Sequence, residues 1–341
     1  MVDQMVTSSL SDERVKAAFA AVESADATHP EKVEMLMEIA MSLQQKPKSA
    51  QDLHHAVSLY RKAISLCPAE SLLLARVEAR MGTALNAIPH DGPEFLRQAH
   101  TAFELAIIIL KQHGSMQELA EAEMNLGLTI QSLASYGCAH ITDAINAYLR
   151  SLRIFTRDAY PAEFAILHNN LATAYLSMTI TEQNGKMREA LAVQSFEEAL
   201  RVVTLIDYPT EYAMLQNNLG NALQYSSSSH VVENIFRALE AYDEALKVRN
   251  PKDTPLEYAN TISNKANALR SLPDDPQYPE RSNRGNLRRA YAYYHEAITI
   301  FQQFGESTKV LMTSEVMADI DQELQDAEDF SPSDSIYRTT M

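Results

Sequence analysis

A string of sixteen residues, written three times with variation, constrains this chain more than any other feature. It reads DYPTEYAMLQNNLGNA from Asp207 to Ala222, AYPAEFAILHNNLATA from Ala159 to Ala174, and DTPLEYANTISNKANA from Asp253 to Ala268. Pro161, Pro209 and Pro255 recur at intervals of 48 and 46 residues. Self-similarity at a nearly fixed period marks supersecondary units that cannot bury their own apolar faces and so stack on one another.

The register extends beyond the three strings. A small residue recurs at Ala40, Gly82, Gly127, Ala172, Gly220 and Ala266, spaced 42, 45, 45, 48 and 46 residues apart. Between these positions lies a second apolar series with an aromatic residue and a small residue three places later: Tyr60/Ala63, Phe103/Ala106, Tyr148/Ser151, Phe196/Ala199, Tyr242/Ala245 and Tyr294/Ala297. Apolar positions around both series fall at helical spacing. The pattern predicts an all-α fold, an α-solenoid of about six helix–turn–helix repeats with a capping helix at each end. The small residue of the first helix admits the second helix closely, and the aromatic fills the gap between repeats. The prolines suit the first helical position, where no N–H is needed. His113-Gly114 is expected to close the second helix of the second repeat in the manner of a glycine C-cap.

The expected boundaries are a polar lead and capping helix over 1–30, and repeats over 31–70, 71–115, 116–159, 160–207, 208–253 and 254–305. A capping helix over 306–328 and a disordered polar tail over 329–341 complete the chain. Ser11-Asp12-Glu13 would cap the first helix. The expected loops include 179–187, Ser226 to Ser229, and Pro273 to Gly285. Second helices are expected from Asp143 through Phe155 in the third repeat and from Arg188 through Leu205 in the fourth.

Composition narrows the partners. A net charge of −16 repels phosphate backbones, which argues against nucleic acid and favours a protein or peptide of basic character. Cys67 and Cys138 fall in different repeats with no metal-ligand spacing, so no disulfide and no metal site are expected. No secretory leader and no membrane-length apolar run is apparent, so no membrane contact and a cytoplasmic location are expected.

At Leu126-Gly127 and Leu219-Gly220 in the first helices, and Ala238, Tyr242 and Ala245 in a second helix, the chain resembles the tetratricopeptide repeat (TPR) family. Its period exceeds that family's usual one because of longer loops, and the first-helix aromatic is shifted to an E-aromatic-A motif such as Glu211-Tyr212-Ala213. The long period and the NNLA/NNLG wording are similar to repeats of kinesin light chains and of arrays beside bacterial CHAT protease domains. The resemblance implies a concave groove lined by first helices that takes a peptide or partner segment.

The candidate site is a ladder of amides. Asn125, Asn170, Asn218 and Asn264 each stand two residues before the small residue. Asn169 and Asn217 precede two of them, and Asn221 and Asn267 follow the small residue. Asparagine competes for backbone hydrogen bonds and is a mediocre helix former, so its repetition in mid-helix needs a reason. One reason is a groove that clamps the backbone of an extended peptide, since a carboxamide both donates and accepts. The other is bonding between helices that fixes repeat geometry. Arg76 and Arg80 hold groove positions in the second repeat, and Lys265 lies beside the ladder in the sixth. Glu118, Glu163, Glu211 and Glu257 sit in the first turns, where they favour the macrodipole.

Catalytic patterns are absent from the sequence. His54 and His55 are adjacent and face different ways, Cys138 and His140 lack a third partner, and no phosphate-binding glycine loop, HExxH or GxSxG occurs. The expected function is non-catalytic protein–protein interaction, with no cofactor. The alternatives are a scaffold or self-associating adaptor using convex or end surfaces, and a peptide-sensing regulator.

Overall fold

The computed structural model describes residues 13, 15–23, 26–89, 91–179, 185–226, 230–275 and 283–329. The polar lead and most of its expected cap, parts of all three expected loops, and nearly all of the tail lie outside the described residues. Every described regular element is a helix. The chain divides into two compact units, residues 1–178 and 179–341, and each is described by itself.

In the first unit, α1 (15–23) precedes α2 (His29–Gln45), α3 (Ala50–Leu66), α4 (Leu72–Ala87), α5 (Glu94–His113), α6 (Met116–Ser135), α7 (Ile141–Ser151) and α8 (Pro161–Ser177). From α2 onward each helix packs in sequence order on the next, and alternate helices also touch, α2 with α4, α4 with α6 and α6 with α8. The second unit holds α9 (Gly185–Leu200), α10 (Pro209–Gln224), α11 (Val231–Leu246), α12 (Pro255–Arg270), α13 (Arg284–Gln303) and α14 (Ser307–Asp329). It shows the same sequential packing, with α10 also against α12.

Local chemistry explains the helix ends. Thr28 and Glu31 form a reciprocal cap on α2, with the Thr28 N–H donating to the Glu31 carboxylate at 2.8 Å, and Ser115 and Glu118 do the same on α6 at 2.9 Å. Pro161, Pro209 and Pro255 each occupy the first residue of their helix. Gly137 and Gly305 terminate α6 and α13 at φ of 68° and 73°, and the next N–H reaches back to Leu133 O and Phe301 O, the two-bond glycine stop. Gly114 does not behave this way. Its φ is −85°, outside the left-handed region, and a Cβ there would lie 2.6 Å from the Leu110 side chain and 2.9 Å from its carbonyl. Glycine is needed there for space. Helices α7 and α9 end at Ser151 and Leu200, short of Phe155 and Leu205, because the chain tightens into i→i−3 turns such as Ile154 N to Ser151 O.

The core of each pair is a ring pressed on a small residue. Tyr60, Phe103, Tyr148, Phe196 and Tyr242 are fully buried, and Tyr294 is 2% exposed. A Cβ added at Gly82, Gly127 or Gly220 would meet the ring of Phe103, Tyr148 or Tyr242 at 2.8, 2.6 and 2.5 Å. Burying each ring contributes about 2–3 kcal/mol. At the C-terminal end, Thr313 and Ile320 of α14 are buried against α13, with Val316, Met317 and Leu324 packed beside them. Its other described side is largely polar, which suits a helix that ends a stack.

Candidate functional site

Four residues make one helical turn plus a little, so positions two and six before the small residue share a face of each first helix. In the first unit that face carries Glu34 and Glu38 on α2, Arg76 and Arg80 on α4, Glu121 and Asn125 on α6, and Ile166 and Asn170 on α8. In the second unit it carries Met214 and Asn218 on α10, and Asn260 and Asn264 on α12. Ile166 and Met214 are 49% and 38% exposed. Sequence reasoning missed this pair. The signal was available, because their register holds Glu34, Arg76 and Glu121 elsewhere, so packing does not require an apolar residue there.

The eight candidate asparagines separate by their partners. Asn221 and Asn267 face inward. The Tyr242 hydroxyl donates to Asn221 Oδ1 at 2.7 Å and is 2.9 Å from Gln224 Oε1, and the Tyr294 hydroxyl donates to Asn267 Oδ1. The same need is met in other pairs by Gln44, 3.0 Å from the Tyr60 hydroxyl, and Gln131, 2.9 Å from that of Tyr148. A buried hydroxyl requires a partner, and burial pushes these tyrosines well above their ordinary pKa, Tyr60 to about 12 with the Arg80 charge opposing. Where the ring is Phe103, the amide of Asn86 is released to bond Thr129 of α6 at 2.8 Å.

Asn217 is 9% exposed and accepts from Asn264 Nδ2 at 3.2 Å, tying α10 to α12. Gln131 ties α6 to α8 through Thr173 at 3.1 Å. These bonds lace consecutive first helices together, as the geometric reading of the ladder anticipates. Asn125 Nδ2 donates to Glu121 O of its own helix at 3.0 Å, and its Oδ1 accepts from none of the described residues. Among the described residues Asn170 Oδ1 accepts only a long 3.4 Å bond from Asn169, whose own buried Oδ1 has no partner among them. Asn218 is half-buried and its side chain bonds none of the described residues.

The charged candidates divide similarly. Arg76 Nε is held by Glu118 at 2.7 Å, across α4 and α6. The Ser115 backbone N–H and then Arg76 hold the Glu118 carboxyl below its usual pKa. Lys265 pairs with Asp243 and lies 5.3 Å over the Tyr293 ring. Arg80 is exposed and forms no ion pair with the described residues. Cys67 and Cys138 are free thiols; Cys138 Sγ receives a hydrogen bond from Arg97 at 3.3 Å rather than from His140. Among the described residues no group of three or more His, Cys, Asp or Glu is placed to hold a metal ion, and no helix is long and apolar enough to cross a membrane.

No protein-family model and no curated protein matches this chain significantly. Solved structures do. BtubC (BKLC) from P. vanneervenii is 20% identical, with a TM-score of 0.52 over 71% of this chain and 89% of that one. A signal-transduction ATPase with numerous domains from Pyrococcus horikoshii, which carries a tetratricopeptide repeat sensor, is 12% identical, with a TM-score of 0.52 over 95% of this chain and 49% of the ATPase. Such low identities speak to fold alone, and the fold of this chain, paired helices each closed by a ring on a small residue, is that of the tetratricopeptide repeat proteins.

Proposed function

We propose that this chain is a non-catalytic interaction module that holds an extended peptide or partner segment on the outward face of its first helices. In the second unit the holding groups are Asn218 and Asn264, with Met214 as apolar contact. In the first they are Asn125 and Asn170, with Arg80 and Ile166. Asn217, Asn221 and Asn267 set helix geometry and support this face from behind. Arg76, on the face itself, is committed to Glu118 and bridges α4 to α6.

The observation that carries the reading is Asn218. An asparagine in mid-helix costs roughly 0.7 kcal/mol relative to alanine. Asn217 and Asn221 repay that cost through bonds inside the unit, whereas Asn218 has none there. Its donor and acceptor remain available to a peptide backbone, which offers the complementary pair at every residue.

The test is a random-peptide selection on the full chain, followed by affinity measurement on substituted chains. Asn218→Ala should weaken a selected peptide about fivefold, the worth of one net hydrogen bond near 1 kcal/mol. Asn218→Ala with Asn264→Ala should weaken it further, with helix content unchanged and about 1 kcal/mol of stability lost with the Asn264–Asn217 bond. Unaltered affinity in the double variant would refute the reading. A lowered melting temperature with binding retained would show that these amides serve geometry only.

A further inference from the structure

Val231, Val232 and Phe236 project from α11 at 48%, 39% and 42% exposure. They line an open cleft with His230, Glu233 and Glu240, on a different helix from the asparagine face. A second shallow groove adjoins it, with Val193 of α9 and Leu223 of α10 in its wall. Helix packing within a pair does not account for these side chains. Counted from the buried ring, Phe236 occupies the register held by His54, Arg97, Thr142, Ala190 and Arg288 in the other second helices. At the registers of Val231 and Val232, none of those helices has a large apolar residue. Three apolar side chains are thus exposed on α11 at registers where the other second helices carry no large apolar residue, and such a patch marks an interaction surface.

The rim is acidic. Arg237 is neutralised by Glu197 at 2.6 Å, bridging α11 to α9. Among the described residues Glu233 pairs only with His230, at 3.8 Å, and Glu240 forms no ion pair. A second copy docking face to face would set these carboxylates against their own kind, on chains that each carry a net charge of −16. A basic partner gains where a second copy loses.

We propose that this α11 face docks an amphipathic helical segment of another protein, with its apolar ridge on Val231, Val232 and Phe236 and Lys or Arg beside it against Glu233 and Glu240. The mode is a helix laid in a groove.

The experiment titrates the full chain with a short labelled Leu/Lys amphipathic peptide, and with a Leu/Glu peptide of the same pattern. The expected result is binding of the Leu/Lys peptide, weakened about tenfold or more by V232S with F236S. E240K alone should weaken binding and flatten its salt dependence, while N218A should leave it unchanged. All substituted positions except Asn218 are exposed, and circular dichroism verifies folding; E240K decides the matter if the double variant misfolds. The proposal is overturned if the Leu/Lys peptide fails to bind, if it binds the serine variant as well as the parent, or if the Leu/Glu peptide binds equally. It is also overturned if sedimentation shows a dimer that V232S with F236S dissociates, which would make the occupant a second copy.

Discussion

Tyr242→Phe isolates the part of the asparagine pattern that belongs to the fold. The substitution removes one hydroxyl and leaves the ring, so apolar burial and the contact with Gly220 are retained. The hydroxyl lies 2.7 Å from Asn221 Oδ1 and 2.9 Å from Gln224 Oε1. It has one proton, which the two amide oxygens share as alternative acceptors, Asn221 Oδ1 being the nearer. A neutral hydrogen bond contributes about 1 kcal/mol net, and stranding a buried partner costs about 1–3 kcal/mol. Both amides are half-buried and recover part of that from water, which places the loss at about 1.5 kcal/mol. The suitable readout is amide hydrogen exchange of α10 and α11 in the full chain, which reports on these two helices directly. Tyr242→Phe should lower protection there by about tenfold and spare the first unit. Asn221→Ala should do likewise, and the double variant should fall short of the sum. Protection equal to the parent, or strict additivity, would refute the structural role given to Asn221.

Three further outcomes follow from the same geometry. Gly220→Ala places a Cβ 2.5 Å from the Tyr242 ring, so it should reduce exchange protection in α10 and α11 by about 1 kcal/mol even though alanine is the better helix former by a similar amount; increased protection would contradict the close approach. Glu78 is 7% exposed, and burial lifts its carboxyl above the ordinary 4.5, so its folded pKa exceeds the unfolded one. Its contribution is therefore full in acid and is lost as pH rises through the folded pKa. Glu78→Gln should accordingly raise the melting temperature at pH 7.5 and leave it unchanged near pH 4, whereas an equal effect at both pH values would rule out the ionisation. Glu118 is the opposite case, with its pKa lowered by Ser115 and Arg76, so Glu118→Gln should destabilise α6 by about 1 kcal/mol at neutral pH, with the difference vanishing in acid.

The all-helical fold and its pairing were legible because the small residue and the ring must meet, and contact leaves a register that spacing reveals. The spacing fixed both series, but it placed the aromatic between adjacent repeats, whereas Phe103 and Tyr242 press on Gly82 and Gly220 of their own helix pairs. The site was only half legible. Asn218 and Asn221 are the same residue type three places apart on one helix, and residue type alone gave both to the groove. The sequence nonetheless carried a discriminating signal in the ring. Tyr60, Tyr148, Tyr242 and Tyr294 each have an amide one or four places after the small residue, while Phe196 has Thr173 and Leu176 there and Phe103 has Asn86, whose amide turns to Thr129 instead. A buried hydroxyl demands that amide and a phenyl ring does not. The capture of Arg76 by Glu118 was hidden because it joins residues 42 apart across two helices. The extended backbone at Gly114 was hidden for another reason: the crowding that requires glycine there comes from Leu110, not from the turn.

The most direct measurement follows the side-chain amide resonances of the full chain while a selected peptide is added. Binding on the outward face should shift the Asn218 and Asn264 carboxamide signals in proportion to occupancy and leave those of Asn221 and Asn267, committed to Tyr242 and Tyr294, in place. A bound peptide that leaves Asn218 unmoved, or shifts all four alike, would contradict the division of these asparagines into a binding face and a structural one.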